Sequence, residues 1–233
     1  MYQIDRPFLI KVVAALILVA GAAFSVFPSV DLAFSSLFFR PGEGFPVRSM
    51  AWVEAFRNGV WDVVDGMFFV ALGGMLATAA LKRKLLGQGA RQWSYIVLLY
   101  ALAPILMANG IFKAHWGRAR PFDVVNFGGL HEFTPFWLPT DQCASNCSFV
   151  SGEVSGTTTL ALAMLVLGPG LARFIGARGQ GIWSGVAILL PFVVAAQRLA
   201  SGGHFLSDVV FAALFTLAIA LAILPVLTGR RQH

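Results

Sequence analysis

The sequence predicts an all-α fold: a six-transmembrane-helix bundle with an outward interfacial segment and a loop cap. Hydrophobic residues make up 58% of the 233, while Asp, Glu, Lys and Arg together reach 12%, about half the charged share of a soluble domain. The apolar residues also fall in blocks that recur to the C-terminus. Each block approaches the ~20 residues that cross ~30 Å of hydrocarbon. A secretory leader ahead of a soluble domain would show one such block only. A single domain over residues 1–233 is expected, without linker, low-complexity tract or clear internal repeat.

Spans are expected in order at residues 8–27, 63–81, 93–112, 155–174, 183–199 and 206–227. Gly73, Gly74, Gly168 and Pro169 fall inside them, and Pro104 and Pro191 are expected to mark kinks. Such residues disturb a membrane helix less than a soluble one. Stretch 28–62 is too long for a tight turn and too polar to span. Its Trp52, Phe56 and Trp61 suit a short helix at the interface, as an anchor or a route for lipid entry. Stretch 113–149 mixes Phe122, Phe127, Phe133, Phe136 and Trp137 with glycines and prolines, which predicts a folded cap. Those rings either meet acyl chains and sugars or form the cap's own core.

The basic residues set the orientation. Arg6, Lys11, Lys82, Arg83, Lys84, Arg91, Arg173, Arg178, Arg230 and Arg231 share one side, ten of the 17 Lys and Arg, against Asp5 alone of the 11 acids. The positive-inside tendency puts both termini in the cytoplasm. The other connections then face outward. The formal charge of +6 is largely these flanks and requires no nucleic-acid partner; no obligate protein partner is expected either. Cys143 and Cys147 lie in the outward cap. An oxidising compartment such as a bacterial periplasm would join them. Free thiols or half of a metal site are the alternatives, although no neighbouring His and Cys set completes a zinc pattern.

Three patches carry ionisable residues on the outward side, where charge beside lipid needs a reason. The first runs from Lys113 to Arg120 and Pro121, with Arg118 between. Lys113 and Arg120 are seven apart, two turns of a helix continuing out of the third span. Lysine and arginine suit phosphate oxygens, although either alone could simply snorkel to headgroups. In the second, Ser151 and Gly152 precede a helix whose first amides would form an anion site, or a plain N-cap followed by Glu153. Gly152 would let a phosphate approach without a Cβ in the way. In the third, Arg198 precedes His204 and Asp208, which are four apart. Asp208 can orient one ring nitrogen and leave the other to attack.

The spacing Lys-x6-Arg-Pro, then Ser-Gly, then Arg-x5-His-x3-Asp resembles the signature of the type 2 phosphatidic acid phosphatase (PAP2) superfamily, membrane branch. The resemblance runs from about span three to span six. It implies the phosphatase/haloperoxidase bundle, with His204 attacking phosphorus and Asp208 orienting it. It also implies that Lys113, Arg120, Arg198, Ser151 and the Gly152 backbone hold the phosphate, with no metal or other cofactor. Such a clamp stabilises charge on the transferred phosphoryl oxygens.

One position departs from the pattern. The family's middle patch usually reads Pro-Ser-Gly-His, and this chain reads Val150-Ser151-Gly152-Glu153. The reference pKa of Glu is about 4.3 against about 6.5 for His. A weaker acid role for Glu153, an acidic optimum, another donor such as His115 or His131, or lost turnover is expected. The Ser-Gly-Glu variant, the aromatic cap and the run from Gln197 to His204 resemble bacterial lipid A phosphatase-like members. That implies hydrolysis of a lipid phosphate monoester, with lipid A the leading substrate. The multi-pass chain would sit in the bacterial inner membrane with its site periplasmic. Undecaprenyl diphosphate, phosphatidic acid and phosphatidylglycerophosphate are the rival substrates, and a weak or inactive lipid-binding or transport protein is the rival class. Charges gathered at one face rather than mid-membrane argue against a channel or secondary transporter.

Overall fold

The computed structural model describes residues 5–228. Helix α1 (Arg6–Val26) opens where the Asp5 carboxylate accepts from the Phe8 amide at 3.0 Å, with Pro7 in the first turn, where a missing N–H is harmless. There follow α2 (Ser29–Ser36), α3 (Ala51–Leu81), α4 (Ala90–His115), α5 (Gly152–Ala200), α6 (Leu206–Ala222) and the short α7 (Leu224–Thr228). No strand is formed among the described residues; only isolated bridges occur.

The expected count of six spans is corrected. Among the described residues four helices, α1, α3, α4 and α5, are long and apolar enough to cross a membrane. The segments expected at 155–174 and 183–199 fall in the single element Gly152–Ala200, whose two helical arms meet without an intervening loop at a kink at Gly176 (φ 68°, ψ 177°). The segment expected at 206–227 keeps its first helix for 17 residues, and α7 follows separately. The physical reason is that apolar blocks report hydropathy, whereas helix continuity is a matter of backbone bonding. The polar stretch around Arg173 and Arg178 stays helical on both sides of Gly176.

Helix α5 nonetheless folds back at that glycine. The Trp183 indole donates to the Met164 carbonyl at 2.7 Å, nineteen residues away. A straight helix would separate them by ~28 Å. The fold-back brings the helix's two ends together, and they carry Glu153 and Arg198, 3.4 Å apart. Helix α3 differs from expectation too. It begins at Ala51, so Trp52, Phe56 and Trp61 ride on its first turns rather than on a separate interfacial helix.

Close packing explains several glycines and prolines. A Cβ at Gly74 would fall 2.6 Å from the Trp93 ring, so α3 and α4 meet across that missing side chain. From Ala101 to Phe112, α4 adopts the wider π-helical register, and the Asn109 side chain donates to the Pro104 carbonyl at 2.7 Å. Trp93, Ile96, Leu99, Leu160 and Phe211 lie in the main core, while Leu18, Val19, Phe69 and Phe192 are exposed on its outside. Such exposed apolar side chains suit lipid contact.

The cap's rings mostly pack on the protein. Phe136 stacks on Phe211 at 4.5 Å and Phe133 meets Phe205 at 5.2 Å. A second small core joins Phe127 with Phe45 and Phe205. At the other end of the bundle, the loop following Lys82 to Lys84 packs through Leu86 on Gly170, ~27 Å along α5 from Gly152. Arg230 and Arg231, used in the orientation argument, lie outside the described residues.

Candidate active site

The ionisable patches meet at one end of the bundle because four backbone elements end there. Helix α4 brings Lys113, then Gly117 (φ 68°) turns the chain and Arg120 lies in extended backbone. Lys113 and Arg120 therefore do not share a helical face as expected. They meet instead at Asn146: Lys113 Nζ donates to its Oδ1 at 3.0 Å, and Arg120 Nη2 donates to its carbonyl and Oδ1 at 2.7 and 3.0 Å. Cys143 and Cys147 are bonded to each other, their Cα atoms 5.6 Å apart, and so close the short loop that carries Asn146.

Ser151 caps α5, its Oγ accepting from the Val154 amide at 3.3 Å. Its own amide donates to the Asp208 carbonyl at 3.1 Å, which joins the second patch to the third. A Cβ at Gly152 would lie 3.1 Å from both Asn109 Oδ1 and Lys113 Cε, so the bare glycine makes room for Lys113. Gly203 does the same for Arg198: a Cβ there would fall 2.1 Å from Nη2.

His204 sits in the loop between α5 and α6 and is fully buried. Its Nδ1 lies 2.8 Å from the Ser148 carbonyl, which can only accept. Nδ1 therefore carries the hydrogen, and the lone pair belongs to Nε2 when the ring is neutral. Burial holds the imidazole below its ordinary value, which favours the neutral form. Asp208, expected to orient one ring nitrogen, lies 3.7 Å from Nδ1. Its oxygens are engaged by Arg118 Nη1 at 2.6 Å, the Phe205 amide at 2.8 Å and the Ser148 hydroxyl. Its charge still lies close enough to favour an imidazolium.

Glu153 faces the other side of the ring. Oε2 is 3.2 Å from His204 Nε2, and Oε1 is 3.4 Å from Arg198 Nε and 3.8 Å from Arg57 Nη1. A bare ring nitrogen and a carboxylate oxygen repel, so the contact requires one proton held between them. The carboxylate thus occupies the space directly in front of Nε2. His115 and His131 are exposed, and among the described residues neither makes a hydrogen bond or ion pair with this group.

Arg118, between Lys113 and Arg120 in sequence, points away from them. It is wholly buried between Asp208 and Asp31, 2.6 and 2.8 Å from their oxygens, with its Nε donating to the Thr134 carbonyl at 2.9 Å. Asp31, Arg57, Asn146 and Ser148 join this group from outside the three patches. Asp31 alone left a signal: an acid in an apolar stretch just after the first span.

These features gather a buried histidine, a carboxylate and the cations Lys113, Arg120 and Arg198 at one end of an all-α chain with four helices apolar enough to cross a membrane. The chain belongs to the PAP2 superfamily, whose family model matches residues 93–232. It is 31% identical to the lipid A 4'-phosphatase of Rhizobium leguminosarum over 241 residues, covering 91% of this chain and 93% of the relative. The lipid A 4'-phosphatase of Francisella tularensis subsp. novicida is 28% identical over 221 residues, with 90% and 91% covered. No solved structure matches.

Proposed function

We propose that the chain hydrolyses a phosphate monoester of a membrane lipid, lipid A before the other candidates, through a phosphohistidine at His204. The observation that carries this is the buried Nε2, facing a space that Arg198 flanks and a carboxylate now fills. A substrate phosphate would displace that carboxylate and meet Arg198, Lys113 and Arg120. The Nε2 lone pair then attacks phosphorus, the P–O bond to the lipid breaks, and its electron pair leaves on the lipid oxygen. Glu153, carrying the proton it shared with Nε2, delivers it to that oxygen. Water next attacks phosphorus, the P–N bond breaks and inorganic phosphate departs, its proton returning to Glu153. Lys113, Arg120 and Arg198 meet the charge that spreads over the phosphoryl oxygens. The relatives named as lipid A 4'-phosphatases support the choice of lipid. The charge asymmetry along the sequence supports an inner-membrane location with the site on the periplasmic face.

Phosphate release by purified protein in EDTA tests the reading across lipid A, undecaprenyl diphosphate, phosphatidic acid and phosphatidylglycerophosphate. The expected result is release from lipid A at least about tenfold faster than from the rest. Preference for another lipid would overturn the substrate assignment. No release from any, with folded protein and pH scanned, would favour a lipid-binding protein.

Glu153→Gln separates the acid role from a passive one. The amide keeps the shape and loses the transferable proton, so kcat on the lipid should fall by about 10²- to 10⁴-fold. Turnover of p-nitrophenyl phosphate, whose leaving group needs no proton, should fall far less. Near-full kcat on the lipid at every pH would sink the acid role.

A further inference from the structure

Beyond the scissile-phosphate seat lies an open cavity of about 660 Å³, lined by Arg48, Arg57, Arg120 and Arg198 against only Glu54 and Asp123 among the acids. A single phosphoryl group fills a small part of such a volume. Arg120 and Arg198 belong to the seat. Arg57 is neutralised by Glu54, which accepts from its Nε at 3.0 Å and contacts Nη2 as well. Arg48 is left as the uncommitted cation.

Arg48 is also held in place. Its guanidinium lies 3.3 Å over the Phe122 ring, a contact that uses the face of the fork and none of its N–H groups. Those groups donate to no protein acceptor among the described residues, and Asp123 acts on Arg48 only at longer range. The Phe122 amide donates to the Gly202 carbonyl at 3.2 Å, two residues before His204, and Arg120 stands two residues before Phe122. The stacked arginine is therefore tied to the loop that carries the reacting histidine. Arg48 comes from the segment ahead of α3, outside residues 93–232 where the family match lies. It adds to the shared site something that the matched region does not contain.

We propose that Arg48 anchors a second anion subsite for the same substrate, so that the favoured lipid carries two phosphate groups, one over His204 and one at Arg48. This rests on the hydrolytic reading above. A planar fork with its edge open to the cavity suits a phosphate dianion, and continuity with Arg120 and Arg198 assigns that phosphate to the bound lipid rather than to a neighbouring headgroup.

The test compares a lipid bearing two phosphates with the same lipid lacking the unreactive one, in uncharged detergent free of phospholipid. Turnover is measured on the wild-type chain and Arg48→Gln, and binding of the intact lipids on His204→Ala with and without Arg48→Gln. Loss of Arg48 is expected to weaken binding of the two-phosphate lipid by about 10- to 100-fold, and of the one-phosphate lipid by no more than about threefold. An equal loss on both overturns the subsite, as does a loss that appears only after anionic phospholipid is added. Lost discrimination in binding without any turnover would uphold the subsite and remove the hydrolytic reading. Turnover with unchanged discrimination would do the reverse.

Discussion

Replacing His204 by alanine is expected to lower lipid phosphate hydrolysis by on the order of 10⁴-fold or more, the scale seen when a covalent nucleophile is removed. The ring presents Nε2 on the side of Glu153 and Arg198, its other nitrogen being committed to the Ser148 carbonyl at 2.8 Å. The cations would remain, so the variant should still bind substrate, and KM should change less than kcat. Wild-type protein quenched in alkali during turnover of a labelled substrate should carry phosphate stable to base and lost in acid, as a phosphoramidate behaves. The alanine variant should carry none. Residual activity within about 100-fold of wild type would exclude His204 as nucleophile.

Arg118→Met should be the most destabilising single change near the site. The guanidinium bridges Asp31 and Asp208, one positive charge between two carboxyl groups, and all three side chains are almost fully buried. Methionine preserves much of the volume but leaves two carboxylates without their common counterion. Breaking a buried pair in this way costs about 3–5 kcal/mol, a large share of the ~5–15 kcal/mol that holds a typical domain folded. Thermal unfolding in detergent would measure it. Adding Asp31→Asn should recover part of the loss, because one orphaned charge is removed. Unchanged stability in Arg118→Met would show that the pair is solvated rather than buried.

Much of this site was legible because chemistry that needs particular residue types leaves them at particular spacings. Lys113, Arg120, Ser151, Gly152, Arg198, His204 and Asp208 could be named from three short patches, and the structure gathers them at one end of the bundle. Their bonding could not be read. Lys113 and Arg120 meet at Asn146 across a turn at Gly117, not along a helix. The hydrogen bond expected between His204 and Asp208 goes to the Ser148 carbonyl, because main-chain acceptors carry no residue identity that a spacing could reveal. Gly203 has no chemistry of its own for a spacing to reveal, yet its missing Cβ is where the Arg198 guanidinium lies.

By itself, the sequence determined that the chain is all-α, apolar and built for a membrane, which family it resembles, and which ionisable residues stand at its helix ends. These follow from composition and local order, since a helix needs only its own backbone and a hydropathy block only its own letters. The tertiary structure alone decided that α5 folds back at Gly176, that Arg118 bridges Asp208 and Asp31, that Glu153 lies against His204, and that Arg48 lines a cavity with Arg120 and Arg198. Each of those depends on where distant segments meet. Burial and charge pairing are properties of that meeting, so no stretch of sequence contains them.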